Sequence, residues 1–396
     1  MRRFLCAVCL VALLAGCAPA SSTVSSEPQS APEPQSETAD AGELKAFCPI
    51  TPAGYFYTSY KNSYDSRLTV VDPETATGHF ACSIPGCDHA NDSCEAWVTA
   101  MSVWVLDDAI YTLAQNEDGS RSLSVRDSDG THSRPLATVG DWIFYGADSE
   151  SLYGICGDSF GRVSRTDGTE TFLLHDAQEK FSDQNSDILG IWQDSFVAAR
   201  WYGVPGHPDS TCLYLLDREG QLTEVARIDS PGLWYDSCIL AGDEVVYIDE
   251  PTGKVMAVSL ADGSSRLVTD QLCSRNIVHE NKYYSSANWT LAAVQDQIIV
   301  RVVDIPEEKP IENAYRVNPD GSVTELPPHV ELRGDVPDGT WPPTDTVSVV
   351  AQRDDLLVVI PAWEYIDGGV FDNSAFISAE DYLAGRDNYR EFILPE

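Results

Sequence analysis

The sequence predicts an all-β fold, and within that class a β-propeller of seven blades with about four antiparallel strands each; six or eight blades are the alternatives. One observation is the stretch Gly242 to Thr269, where three short β-rich runs are separated by Glu250-Pro251-Thr252-Gly253 and by Asp262-Gly263. Proline presets φ and glycine accepts positive φ, so both breaks are turns and the stretch is an antiparallel meander. A second is recurrence. An acidic or glycine-containing turn leads into a β-rich run at Gly54-Tyr55-Phe56-Tyr57, Asp108-Ala109-Ile110-Tyr111, Ser151-Leu152-Tyr153, Asp194-Ser195-Phe196-Val197, Glu244-Val245-Val246-Tyr247, Gln297-Ile298-Ile299-Val300 and Asp355-Leu356-Leu357-Val358. These seven copies are some 43 to 58 residues apart, the period of a four-stranded blade. Composition agrees, because 27 glycines and 23 prolines in 396 residues suit a turn-dense β protein.

A partner element, an alternating run closed by a turn glycine, follows each copy: Leu68 to Gly78, Leu123 to Gly130, Val163 to Gly168, Leu213 to Gly220, Val255 to Gly263 and Tyr315 to Gly321, with Ser374-Ala375-Phe376-Ile377 as an irregular seventh. A sheet this small cannot bury two faces alone, so the blades must stack around an axis. The strand-like Tyr389 to Leu394 is placed to complete the first blade and remove the exposed edges of an open array. A parallel β-helix has repeats of about 20 to 30 residues and lacks hairpins at this spacing. Two packed sandwiches leave the even period unexplained.

The chain begins with a secretion signal over residues 1–16: Arg2 and Arg3 precede the apolar Phe4 to Leu14, which is too short to span a bilayer. Leu14-Ala15-Gly16-Cys17 resembles the bacterial lipobox, which implies that the Cys17 thiol takes a diacylglyceryl group and becomes the mature N-terminus. An ordinary cleaved signal with an incidental cysteine is the alternative. Cys6 and Cys9 lie in the discarded segment and carry no redox argument. Residues 17–44 are rich in Ser, Pro, Glu, Ala and Thr and cannot bury enough apolar surface to order themselves, so they read as a tether. Residues 45–396 then form a single propeller, closed by the C-terminal strand and held on the outer face of the cell membrane. The only membrane partner is the lipid on Cys17.

The net charge is −37, from 25 basic and 62 acidic residues. Such a surface repels phosphate backbones, which disfavours nucleic acid. It reads first as a solvated exterior and second as a collector of cations.

Chemistry concentrates in Cys82-Ser83-Ile84-Pro85-Gly86-Cys87-Asp88-His89-Ala90-Asn91-Asp92-Ser93-Cys94. Three thiols and an imidazole are a donor set for a closed tetrahedral zinc site, and structural zinc is the one cofactor the sequence suggests. The spacing matches no common finger, and in an extracytoplasmic chain a disulfide among Cys82, Cys87, Cys94 and Cys48 competes with it, as do unpaired thiols. Cys156, Cys212 and Cys238 sit in or beside strand-like runs and read as small buried side chains. Gly157-Asp158-Ser159-Phe160-Gly161 matches a nucleophile elbow, but β-rich runs flank it on both sides, so a hairpin is expected. Asp127-Ser128-Asp129-Gly130 lacks the distal glutamate of a calcium loop and reads as a turn. No phosphate loop, His-Glu-x-x-His or dinucleotide fingerprint is present, and no catalytic residue is assigned. Trp201, Tyr202, Trp234, Tyr235, Trp289 and Trp341, with Tyr283, Tyr284 and Trp363, are aromatic candidates for stacking on a ligand; packing between blades is the other role for them.

The lipobox, the Ser/Pro/Glu tether, the Cys82 to Cys94 segment, the repeated Asp-Gly hairpins and the closing Ile377-Ser378-Ala379-Glu380-Asp381-Tyr382-Leu383 resemble the cell-surface β-propeller lipoproteins of Gram-positive anaerobes. The resemblance implies a TolB-like or related propeller with no assigned reaction. The functional expectation is a tethered binding or scaffolding module for a glycan, peptide or protein. An extracellular polysaccharide hydrolase or lyase using paired carboxylates is the alternative. A transporter's solute-binding subunit would need two α/β lobes, contrary to the strand repeats.

Overall fold

The structure, a computed structural model, describes residues 42–395 apart from 63–64, 92, 99, 117, 175–185, 205–206, 230–237, 250–251, 273–288, 305–310, 328–329, 338–345 and 367–368. Seven small sheets follow one another along the chain and form a seven-bladed propeller. Blade 3 shows the plan: Trp142–Ala147, Ser151–Cys156, Ser159–Ser164 and Glu170–Leu174 pair in sequence order, each antiparallel to the last. Blades 2, 4, 5 and 6 repeat it, and each of their four strands is likewise hydrogen-bonded to the next in sequence. No helix among the described residues is long and apolar enough to cross a membrane.

The seven recurring β-rich runs are the second strand of every blade, and their partners are the third strand. Their side chains explain why the ring holds. Val245 packs with Val197 and Leu213 of blade 4, whereas Val246, the next residue, packs with Val300 and Tyr315 of blade 6. Successive strand residues point to opposite faces, and here each face meets a different neighbour. Among the described residues there are seven buried apolar clusters, one at each junction between consecutive blades. The junction of blades 7 and 1 holds Ile50, Tyr55 and Val71 against Val358 and Phe376, which closes the ring.

The first and last blades depart from the plan. In blade 7 the inner edge of Leu356–Ile366 is shared: Ser348–Arg353 covers one half antiparallel and Glu331–Arg333 the other half in parallel. The C-terminal strand Arg390–Glu391 adds to the outer edge of this blade, on Gly369–Ser378, and does not complete blade 1. Only its continuation reaches across, where the Gly78 N–H donates to the Ile393 carbonyl at 2.7 Å and Ile393 N–H to the Ala76 carbonyl at 2.9 Å. Phe392 locks this seam, with ring centroids 4.7 Å from Phe376 and 5.6 Å from Tyr55. In blade 1 the third strand takes Gly78–Phe80 and Trp97–Val98 as its outer partners, and Ile393 meets the start of that outer strand as a single parallel bridge to Thr77.

An antiparallel blade puts its first and third turns at one end and its middle hairpin, with the link to the next blade, at the other. At the first end the acidic turns are tied by arginines. Arg165 reaches Asp108 (2.6 Å) and the Asp148 carbonyl (2.7 Å); Arg218 binds Asp148 (3.1 Å) and Asp194; Arg353 binds Asp107 (2.5 Å). Asp148 is 3% exposed and also accepts from Tyr153 Oη at 2.8 Å. The outer turns use their acids internally: Asp129, Asp167, Asp262 and Asp320 each accept the N–H two residues on, from Thr131, Thr169, Ser264 and Ser322.

Two outcomes follow from this packing. Asp148→Ala removes a buried carboxylate that accepts from the Glu150 and Ser151 amides, Tyr153 Oη and Arg218 and is expected to cost about 3 kcal/mol in chemical denaturation, whereas Asp108→Ala, at an exposed partner, should cost less than about 1 kcal/mol; equal losses would refute the distinction. Phe392→Ala should cost about 2 kcal/mol and raise hydrogen exchange first at the Gly78 amide, the bond that spans the seam.

Candidate functional site

The Cys82 to Cys94 segment is a pinched excursion from one strand. Its two stems both return to Leu68: Ala81 N–H donates to the Leu68 carbonyl at 2.9 Å and Leu68 N–H donates to the Ala96 carbonyl at 2.8 Å. Between them the chain turns at Pro85-Gly86, where Gly86 has φ +71° and the Cys87 N–H reaches the Ile84 carbonyl at 3.2 Å. Glu95 clamps the stems by accepting from Ser83 N–H (2.8 Å) and Ser83 Oγ (2.9 Å). Those hydrogen bonds hold its carboxyl below the usual range. The loop has little core of its own, and Ile84 is 42% exposed.

Inside this loop the donor atoms of Cys82, Cys87, His89 and Cys94 all lie within 4.8 Å of one another. His89 adopts φ +52°, a left-handed conformation uncommon outside glycine. Its Nδ1 stands 3.1 Å from Cys94 Sγ, with the ring against Phe80 at 5.0 Å. The sulfurs are met by backbone amides. Burial opposes the Cys82 thiolate, but N–H groups of Ile84 and Glu95 hydrogen-bond it and, with Cys94 and Cys87, hold the thiol below its usual range. Burial pushes Cys94 up to about 12 against the pull of the Ala96 N–H, and its hydrogen bonds to Cys87 and Cys82 add to the rise. Arg126, 4% exposed, braces the loop from blade 2 through the carbonyls of Glu95 (2.5 Å), Gly130 (3.1 Å) and Trp97 (3.3 Å).

Cys48 does not belong to this group. It lies in the segment that crosses the inner strands at the arginine-tied end, with its N–H on the Val105 carbonyl (3.0 Å) and its Sγ on the Gln352 carbonyl (3.6 Å). The segment touches five blades in turn. Leu44 N–H meets Asp194 (3.1 Å), Lys45–Ala46 pairs with Trp142–Ala147, Cys48 joins Val105 and Gln352, and Ile50–Thr51 opens blade 1. A pocket of about 210 Å³ beside it is lined by Lys45, Cys48, Leu106, Asp107 and Arg353. The other thiols stand apart too: Cys212 and Cys238 are buried in blades 4 and 5, and Cys156 lies at the hairpin that the nucleophile-elbow pattern occupies, where it pairs with Ser159 across Gly157-Asp158.

Of the aromatic candidates, Trp201 packs on the cluster between blades 4 and 5. Tyr202 lies between Arg200 (5.3 Å) and Arg227 (5.1 Å), with its hydroxyl 2.8 Å from that of Tyr214. Both rings are engaged in packing. Trp289 begins the strand Trp289–Val294, and Trp234, Tyr235 and Trp341 lie outside the described residues. A groove the sequence did not suggest opens beside Trp201's blade. It encloses about 350 Å³ between blades 4 and 5, lined by Arg227, Asp229, Tyr247, Asp249, Lys254, Met256 and Leu267. These residues come from three strands of one blade and the outer strand of another, so no local pattern announces them. Arg126 was not singled out by the sequence, although an arginine beside the apolar Leu123 and Val125 must find acceptors once that strand is packed.

No protein-family model and no curated protein matches the chain. Several solved structures resemble it. They include a prolyl endopeptidase (TM-score 0.50, 11% identity, 88% of this chain and 50% of that one), the β-propeller domain of the Trilobed protease from Pyrococcus furiosus (0.41, 12%, 89% and 94%) and TolB from Acinetobacter baumannii (0.37, 10%, 85% and 78%). At such identities the likeness concerns the fold alone. The chain spans about half the length of that endopeptidase.

The axial segment makes a pH-dependent outcome. Hydrogen bonding from Arg353 holds the Asp107 carboxyl below its usual range, so the pair supports the fold above about pH 4 and loses that contribution as pH falls through the lower folded value. Exchange protection at the Cys48 amide should therefore be greater in the native chain than in Arg353→Met at neutral pH, and the gap should close in acid. A gap that persists would count against the pair.

Proposed function

We propose that the protein is a membrane-anchored, extracytoplasmic lipoprotein whose propeller is a binding or scaffolding module, with the ligand held at the end that carries the middle hairpins and the blade-to-blade links. The groove between blades 4 and 5 carries this reading. It lies where the outer strand of blade 4 ends at Ile228 and where the hairpin of blade 5 runs from Asp249 to Lys254. Its walls offer Tyr247, Met256 and the half-exposed Leu267 beside Arg227, Asp229, Asp249 and Lys254. Apolar patches with a few converging charges suit a peptide, or a glycan bearing charged groups.

The anchor side supports the same arrangement. The folded unit begins at the arginine-tied end, where the Gly42 carbonyl accepts from Arg218 at 2.6 Å, so the groove and the entry of the tether are at opposite ends of the ring. Lipid on Cys17 would thus leave the groove accessible outside the cell.

The catalytic alternative has one observation behind it: Asp229 and Asp249 line the same groove. A glycosidase pair must face its substrate at about 5 to 9.5 Å, and the product assay below reads this directly.

Probing glycan and peptide arrays with residues 18–396 should return a binding class that Lys254→Glu weakens about tenfold or more, with the array ligand recovered intact. Ligand binding unaltered by Lys254→Glu and Met256→Ala together would remove the groove from the proposal. Cleavage products that disappear in Asp229→Asn would favour the hydrolase.

A further inference from the structure

We infer that Cys82, Cys87, His89 and Cys94 bind a single zinc ion as a closed Cys3His site, which holds the connection between blades 1 and 2. Donors on a tetrahedral zinc with bonds of about 2.0 to 2.3 Å lie about 3.6 to 3.8 Å apart. The four donor atoms here are already within 4.8 Å of one another, a difference that side-chain rotation removes. All four come from one 13-residue segment whose stems are fixed on Leu68, so the site needs no movement of the blades.

Three features of the surroundings fit a metal better than a disulfide. First, four donor atoms of three thiols and one imidazole converge within 4.8 Å of one another, where a disulfide would use only two of the sulfurs. Second, three thiolates and one imidazole on Zn²⁺ leave one negative charge, and the buried guanidinium of Arg126 stands at the loop's stem, donating to the carbonyl of Glu95, the residue after Cys94. Its hydrogen bonds go to three carbonyls, which leaves that positive charge to be met by the cluster and by Glu95. Third, His89 takes a left-handed backbone conformation that brings Nδ1 to 3.1 Å from Cys94 Sγ. A bond between any two cysteines would leave the third thiol and this imidazole crowded together with no joint partner.

Binding displaces the thiol protons to solvent and fills four positions with protein donors. No open position is left for a water or substrate, so the ion is structural. Its effect is to give a core to a loop that has almost none. The loop and the groove are on different blades, so loss of ligand binding and loss of metal are separate outcomes.

The test uses the full chain purified under reducing conditions with zinc supplied and then dialysed. Elemental analysis should find about one zinc per chain; Cys82→Ser, Cys87→Ser and Cys94→Ser should each lose it, while Cys48→Ser and Cys156→Ser keep it. Cobalt(II) in the native chain should show thiolate-to-metal charge transfer and the strong visible bands of four-coordination, a reading that does not depend on any variant folding. His89→Cys should retain cobalt with a shifted spectrum. Absence of stoichiometric zinc in the native chain would overturn the inference. So would a disulfide between any two of Cys82, Cys87 and Cys94 in protein taken from its own compartment.

Discussion

Val245 and Val246 adjoin in one strand and bury against different blades, and this two-sided burial is the constraint on which the rest of the structure depends. A four-stranded blade exposes two apolar faces, and neither is covered until a neighbour stands on each side. Apolar burial at about 25 cal/mol per Å² is therefore realised only in the assembled ring. The requirement passes from blade to blade until the last must meet the first. That meeting is made by Phe376 and Val358 against Tyr55 and Val71, with Phe392 laid over the seam.

Closure by packing leaves the axis to be organised, and here polar chemistry takes over. Inner strands converge at the arginine-tied end, where their acidic turns would repel one another. Arg165, Arg218 and Arg353 each neutralise turns and donate to backbone carbonyls as well. The segment from Leu44 to Thr51 threads among them, so the last residues before the propeller fasten five blades. Much of the remaining acid has a local use. In the Asp-Gly-Ser turns of Asp262 and Asp320 the carboxylate accepts the serine hydroxyl and then the amide two residues on, and in the Asp-Gly-Thr turn of Asp167 chiefly that amide, which holds all three below the usual carboxylate range. A large negative charge thus coexists with few acids aimed at a cation.

Away from the arginine-tied axis the molecule is built differently, and the Cys82 to Cys94 loop folds around polar and sulfur groups where the blades fold around apolar ones. The groove between blades 4 and 5 depends on two sheets meeting, with Arg227 from one and Lys254 and Met256 from the other. Rigid blades position both features while leaving their side chains free to vary, which is how one propeller frame can serve many ligands.

By itself the sequence determined the class of fold and the central hairpin of every blade and favoured seven blades, while the choice against six or eight came from the tertiary structure. Second and third strands are buried on both faces, so they read as unbroken apolar runs such as Ile110-Tyr111 or Val245-Val246-Tyr247, and their turns carry glycine at positive φ, as at Gly130, Gly168 and Gly263. It also named the four donors of the sulfur cluster, because they lie within 13 residues. Outer strands such as Glu170–Leu174 are half exposed and left no comparable trace, Ser265–Thr269 being the exception that the Gly242 to Thr269 meander already included. Only the tertiary structure decided that Cys48 stands apart from Cys82, that the C-terminal strand joins blade 7, and that Asp249 and Lys254 share a groove with Arg227. Each is a contact between segments far apart in the chain, set by which blade edges were already covered and by how neighbouring sheets meet, and residue order carries no record of either.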